Sequence, residues 1–284
     1  MSVSATPPAK RGDSAMAAPG AASRASLVAI RGISKQFANG TLAVREVNLD
    51  LHQGEFISLL GPSGCGKSTL LRMIAGLSQP SAGTIEWLNE RLKPGHDTPG
   101  NPGRDLGFVF QDPTLMPWSQ AIGNVAMPLI LKGVGKAEAH ARSAEMLELV
   151  GLKGFEKSYP RELSGGMKMR VSIARAMVTK PSLLLMDEPF AALDEMTRFK
   201  LNNDTLALRQ DQGFTTVFVT HSVFESVYLS NRVIVLAARP GRVIADIAID
   251  EPYPRSDAFR STTRYAQWCV QVSQALQQAG EHYV

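Results

Sequence analysis

Cysteine is scarce: the 284 residues contain two, Cys65 and Cys269, far apart in sequence. Two distant thiols exclude a disulfide framework and a four-cysteine zinc site. They fit a reducing compartment. No apolar run approaches the ~18 residues of a membrane-spanning helix. The best run, Val233-Ile234-Val235-Leu236-Ala237-Ala238, is strand-sized. The first residues lack the apolar core of a secretory signal. A soluble chain is expected, with any membrane role carried by a partner. Neither sign of charge dominates. Against 30 Lys+Arg stand 26 Asp+Glu, a net charge of +4. That excess is too small and too scattered to indicate a nucleic-acid partner, and none is expected. Charged residues are 20% and hydrophobic residues 44%, which excludes a wholly disordered chain and leaves a sizeable core. At roughly 150 residues per domain the length fits one large domain or two moderate ones.

Residues 1–26 are rich in Ala, Ser, Pro and Gly without periodicity, the composition of a disordered tail. Order begins at Leu27. Short strands are expected at Leu27 to Ile30, Val47 to Leu51, Phe56 to Leu60, Thr84 to Trp87 and Leu106 to Phe110. Others are expected at Ser182 to Met186, Thr215 to Thr220, Val233 to Leu236 and Val243 to Ile249. Between them lie helical stretches: after the glycine-rich loop near residue 67, from Ile122 to Val150 with a break at Gly133-Val134-Gly135, and from Asp194 to about Gln212. Two more run from Ser222 to Leu229 and from Thr262 to Ala279. Arg239-Pro240-Gly241-Arg242 reads as a hairpin turn. Strands alternating with helices define an α/β fold with a mainly parallel sheet. The expected domain spans residues 27–253, with an inserted helical subdomain at about 112–163 and a C-terminal helical extension over 254–284.

Gly61-Pro62-Ser63-Gly64-Cys65-Gly66-Lys67-Ser68 fits G-x-x-x-x-G-K-[ST] between a strand and a helix, the context this motif requires. Its glycines let successive N–H groups turn inward to phosphate oxygens. The helix start adds partial positive charge. Lys67 is suited to the β- and γ-phosphates, and the Ser68 hydroxyl to Mg²⁺. Thr69 completes the cradle. Cys65 reads as a small filler side chain. Further on, Leu183 to Met186 runs into Asp187 and Glu188. Neighbours on a strand face opposite sides, so the two acids are expected to work separately. Asp187 would orient Mg²⁺ or its water shell, and Glu188 would act as general base toward water.

Leu163-Ser164-Gly165-Gly166 then opens a helical pattern. A serine and two glycines at a helix start offer a hydroxyl and free N–H groups to an anion; an N-cap is the alternative. With the phosphate loop and the Asp-Glu strand end, this segment makes residues 27 to 253 resemble the ATP-binding subunits of ABC transporters. The resemblance implies a P-loop NTPase core with an antiparallel β subdomain and an inserted α-helical subdomain. It implies ATP and Mg²⁺ as cofactors. It also implies a head-to-tail dimer, in which Ser164, Gly165 and Gly166 reach the γ-phosphate held by the other copy. Met167 departs from the pattern, where the family usually has Gln.

On the same resemblance, Gln111 matches the Q-loop, contacting Mg²⁺ or the lytic water. Asp194, in Ala192-Leu193-Asp194, matches the D-loop facing the opposite subunit; it also fits an N-cap. His221 matches the switch histidine, bonding the γ-phosphate and orienting Glu188. Phe37 matches the aromatic residue that stacks on adenine, with a core position as the alternative. The family members most similar are importers of nitrate, sulfonate, taurine and pyrimidine precursors. Three stretches carry this: Val109 to Trp118, Phe190 to Arg198, and Ala238-Arg239-Pro240-Gly241-Arg242. Ser222 stands where many relatives have Asp. The implied partners are separate transmembrane permease subunits and a solute-binding protein, with the chain peripheral on the cytoplasmic face of the cell membrane. Leu115, Met116, Pro117 and Trp118, apolar on a loop after Gln111, are expected to help form a groove for the permease; packing onto the core is the alternative. A soluble ABC-type ATPase in DNA repair or translation carries long coiled coils, zinc cysteines or two nucleotide domains, and none is evident here. A non-hydrolysing adaptor is disfavoured by Glu188 and His221.

Overall fold

The computed structural model describes residues 25–89 and 105–281. The expected tail lies outside them apart from Ala25 and Ser26, and Ser26 already belongs to a strand. Strands β1 (Ser26–Gln36), β2 (Leu42–His52) and β4 (Ala82–Trp87) form an antiparallel sheet in the order β2-β1-β4. Both β1 and β2 extend well beyond the residues their apolar alternation marks. Their pairing shifts register between Ile30 and Ile33 and again toward Gln36. Such irregularities re-aim side chains and break strict alternation.

Strands β3 (Phe56–Leu60), β5 (Leu106–Val109), β6 (Leu183–Asp187), β7 (Thr215–Thr220), β8 (Arg232–Ala237) and β9 (Arg242–Ala248) make the second sheet, ordered β5-β6-β7-β3-β8-β9. Neighbouring strands from β5 to β8 pair in parallel; only β9 runs antiparallel, to β8. The parallel strands are mostly apolar because both faces are covered. Alternation assigns the faces. Phe56, Leu60, Leu184, Met186, Phe218 and Val233 enter one core. Ile57, Leu59, Leu183, Leu185, Val217 and Ile234 enter the other.

Helix α1 (Lys67–Ile74) packs on the second face, with Leu70, Leu71, Met73 and Ile74 buried. Its eight residues are fewer than the ~12–15 an isolated helix needs, so this burial holds it. The first face carries α2 (Ala121–Leu131), α3 (Lys136–Leu149), α4 (Gly165–Met177), α5 (Glu195–Gln212) and α6 (Val223–Leu229). Pro128 lies inside α2, a position that costs about 3 kcal/mol in a free helix. Buried Val125, Ala126 and Leu129 offset it. A short helix not apparent in the sequence, α7 (Asp257–Arg260), precedes α8 (Thr263–Glu281). Tyr265, Cys269, Val272 and Ala279 of α8 are buried in the same core as the sheet.

Candidate functional site

Strand β3 stops at Leu60 and the chain turns through Gly61 to Gly66. Gly64 and Gly66 have φ of 74° and 91°, the left-handed region that favours glycine. Gly66 is also closely packed. A Cβ there would lie 2.6 Å from the Ala43 carbonyl oxygen, and one on Gly61 2.6 Å from that of Leu236. No side chain caps α1, so its first N–H groups are available to an anion. Lys67 is buried, and its Nζ donates to the carbonyl oxygens of Gly61 at 2.8 Å and Pro62 at 3.0 Å. Cys65 is fully buried and its thiol pKa is pushed up by burial, which suits a packing residue.

Asp187 ends β6, and its Oδ1 accepts a 2.6 Å hydrogen bond from Ser68 Oγ. Burial raises the Asp187 carboxyl pKa, while the Ser68 hydroxyl and Arg72 oppose the rise. Glu188 corrects the expectation that strand alternation alone separates the two acids. It lies just past the strand with φ 45°, and its N–H donates to the Val219 carbonyl at 3.1 Å. This turn puts its carboxylate between two basic groups: Oε1 is 3.7 Å from Lys67 Nζ and Oε2 3.6 Å from His221 Nδ1. A non-glycine residue at positive φ is strained by roughly 1–3 kcal/mol, and the strain sits at the centre of the charged cluster.

An open cavity of about 860 Å³ runs along Ser63 to Thr69 and takes in Phe37, Gln111 and Glu188. Phe37 is 44% exposed, with Lys35 Nζ 5.6 Å from its ring centroid; it is not a core residue. Gly61 and Pro62 lie behind the cavity, where their carbonyls hold Lys67. Asp187 and His221 touch it through Ser68 and Glu188. Ser164, Gly165, Gly166 and Asp194 do not line it. Ser164 caps α4, its Oγ accepting from Met167 N–H at 3.3 Å. The Met167 side chain packs partly buried against the core. Asp194 caps α5 by accepting from Thr197 N–H at 2.9 Å, which holds its carboxyl pKa below the ordinary value. The two segments adjoin: a Cβ on Gly165 would lie 3.6 Å from Leu193 Cδ2, and one on Gly166 2.7 Å from Thr197 Cγ2.

Sequence reasoning missed one wall of the cavity: Thr41, Leu42 and Ala43 at the start of β2, and Arg239 and Pro240 at the β8–β9 turn. That turn is anchored by Gly241, whose N–H donates to Ala43 O at 2.9 Å and whose carbonyl accepts from Arg45 N–H at 2.8 Å. A Cβ on Gly241 would lie 2.0 Å from the Cys65 carbonyl oxygen. Gly241→Ala is therefore expected to displace the phosphate loop. Forcing a methyl into filled space costs about 1–3 kcal/mol, so the Kd for ATP rises by about tenfold or more. Titration with a fluorescent ATP analogue measures this; an unchanged Kd would show that the turn does not set the loop.

A glycine-lined loop between a parallel strand and a helix, with a buried lysine and a hydroxyl–carboxylate pair, defines a P-loop nucleotide-hydrolysing protein. A model described as ABC transporter matches residues 44–191. The chain is 49% identical over 217 residues to the uncharacterized ABC transporter ATP-binding protein MJ0412 of Methanocaldococcus jannaschii, covering 76% of this chain and 79% of that one. It is 44% identical over 232 residues to the aliphatic sulfonates import ATP-binding protein SsuB of Bacillus licheniformis, covering 81% and 87%. Among solved structures it resembles the dimeric ATP-binding cassette MJ0796 in a post-hydrolysis state bound to ADP and Pi. The TM-score is 0.68 at 33% identity, covering 80% of this chain and 100% of that one. The chain belongs to the ABC transporter ATP-binding family. It is an ATP-binding, ATP-hydrolysing transporter subunit with the ABC ATPase fold. Among the described residues no helix is long and apolar enough to cross a membrane.

Proposed function

We propose that two copies of this chain close head to tail on two ATP molecules and energise import of a small solute: a sulfonate or taurine, nitrate, or a pyrimidine precursor. The observation that carries the import reading is the 44% identity to an aliphatic sulfonates import ATP-binding protein over 81% of this chain. In this reading the backbone from Ser63 to Thr69 and Lys67 hold the phosphates, Gly61 and Pro62 support Lys67 from behind, and Phe37 stacks on adenine. Ser164, Gly165 and Gly166 of the second copy close on the γ-phosphate, with Asp194 beside them. Glu188 takes the proton of the attacking water. His221 orients Glu188, and Gln111 completes the wall.

Mg²⁺ fits the residues present. The Ser68 hydroxyl donates its hydrogen bond to Asp187, which leaves its oxygen lone pairs for a hard cation. No group of three or more His, Cys, Asp or Glu side chains poised for a metal occurs among the described residues. Mg²⁺ keeps waters and leans on substrate phosphates rather than an all-protein cage. Ser68, Asp187 and Gln111 would hold it, and when bound it neutralises phosphate charge.

The loop after Gln111 supports a permease contact. Of its four apolar residues, Leu115 is partly buried and packs against the core, the alternative weighed for this loop. Trp118 is 77% exposed. The loop is braced from inside. Fully buried Asn124 accepts from Met116 N–H at 2.7 Å and donates to the Ser119 carbonyl at 2.9 Å. Arg175 donates to the carbonyls of Pro113 and Thr114, each at 2.8 Å. A groove of about 400 Å³ lined by Phe108, Phe110, Met127 and Leu131 shares Thr114 and Arg175 with this loop. Exposed tryptophans commonly dominate interfaces, at about 2 kcal/mol or more each. Trp118→Ala is therefore expected to weaken co-purification with the permease by about thirtyfold and leave ATP affinity unchanged. Equal loss of ATP binding would remove the loop from the interface. Recovery of nucleic acid or ribosomes instead of a membrane protein would overturn the transport partner itself.

A further inference from the structure

Glu225 is a buried acid that the scheme above leaves without a task. It lies in the first turn of α6 and is 7% exposed. Its Oε2 accepts a 2.6 Å hydrogen bond from Thr220 Oγ1. That hydroxyl oxygen accepts in turn from Ser222 N–H at 3.0 Å, and Ser222 Oγ accepts from Glu225 N–H at 3.3 Å. The residues on both sides of His221 are thus tied to one carboxylate. The other oxygen, Oε1, stands 3.6 Å from Arg198 Nε on α5. Both of these atoms are buried without a hydrogen-bond partner. Arg198 also reaches back, its Nη2 donating to the Leu193 carbonyl at 3.0 Å. Glu188, Phe190, Arg198, His221 and Glu225 are among the residues around one small void, which shares Glu188 with the phosphate cavity. Burial pushes the Glu225 carboxyl pKa up, while Thr220, Arg198, His221 and Arg260 pull it down.

A buried carboxyl in contact with a guanidinium and a hydroxyl is expensive to retain unless it fixes a geometry. The geometry within reach is the turn that carries His221. We propose that Glu225 is a positioning residue for hydrolysis: it holds the Thr220–Ser222 turn so that His221 meets Glu188, and through Arg198 it ties that turn to the Leu193-Asp194 segment. This rests on the reading that His221 and Glu188 act in hydrolysis. Polar contacts then run from Leu193 through Arg198, Glu225 and Thr220 to the histidine. A shift of the Leu193-Asp194 segment, which adjoins Gly165 and Gly166, is felt at His221 without passing through the nucleotide.

Two substitutions separate the links. Glu225→Gln keeps an acceptor for Thr220 but removes the charge facing Arg198. Thr220→Val keeps that charge and removes the hydroxyl. A small misplacement of a reacting group lowers turnover by up to about 10²-fold, so each variant of the full-length chain is expected to lose about tenfold in kcat for ATP. KM should stay close to the parent. Arg198→Met should match Glu225→Gln, and the two together should be no slower than either alone. Retained kcat in both single variants, a rise in KM at constant kcat, or strict additivity of the Arg198 and Glu225 changes would overturn the proposal. Should Glu225→Gln fail to fold, the near-isosteric Thr220→Val decides the question. His221→Ala separates the two layers: if it turns over normally, the role of the histidine falls and the proposal with it. If it is slow while Glu225→Gln and Thr220→Val are normal, only the positioning role falls.

Discussion

Glu188→Gln is expected to bind ATP and barely turn it over. A general base contributes about 10²–10⁴-fold to rate, and the amide keeps the shape of the side chain while losing its basicity. The neighbourhood sharpens the expectation. Glu188 stands 3.7 Å from Lys67 Nζ and 3.6 Å from His221 Nδ1, so its charge already faces the Lys67 ammonium before any nucleotide arrives. Removing that charge frees Lys67 for phosphate and lifts the repulsion between carboxylate and γ-phosphate. ATP affinity should hold or rise, and ATP should accumulate in a closed dimer. Phosphate release measured beside size-exclusion chromatography with ATP tests both halves. Turnover near the parent rate would take Glu188 out of the role of base.

Ser164→Arg should separate binding from pairing. Ser164 is exposed at the start of α4, outside the cavity that Lys67 and Ser68 line. A single copy should therefore bind ATP with unchanged affinity. Loss of the cap costs about 1 kcal/mol, and a cation at a helix N-terminus a further 0.3–1 kcal/mol or so. Both are small against the roughly 5–15 kcal/mol that stabilises a domain. The fold should survive. ATP-driven dimerisation, followed by light scattering in the Glu188→Gln background, should be lost, and transport with it. A variant that still dimerises on ATP would remove Ser164 from the shared site.

Much of this was legible because the motifs are local. The β3–loop–α1 unit needs its glycines, Lys67 and Ser68 in consecutive order, and β6 needs an apolar run before Asp187. The strands β3 and β7 have the ends that their buried runs marked. The Thr41–Ala43 and Arg239–Pro240 wall was illegible for the opposite reason. It is assembled from a strand start and a hairpin turn almost 200 residues apart in the chain, joined through Gly241 and the carbonyls of Ala43 and Cys65. No periodicity encodes a three-way backbone contact. Glu225 was hidden too. An acid in the first turn of a short helix reads as a solvated charge that favours the helix dipole, but the fold buries it beside Thr220 and Arg198. The bend in Glu188 was equally invisible, since its positive φ belongs to the exit from β6 rather than to residue type.

Lys67, Gln111, Glu188 and His221 follow the carboxyl ends of β3, β5, β6 and β7, four adjacent parallel strands of one sheet. One hydrogen-bonded ladder, β5 to β6 to β7 to β3, carries all four. Their mutual spacing is as stiff as the hydrogen-bonded ladder beneath. A lesion deep in that ladder, far from any nucleotide, should blunt all four groups in concert. Heat or denaturant should extinguish the chemistry in a single step together with the sheet.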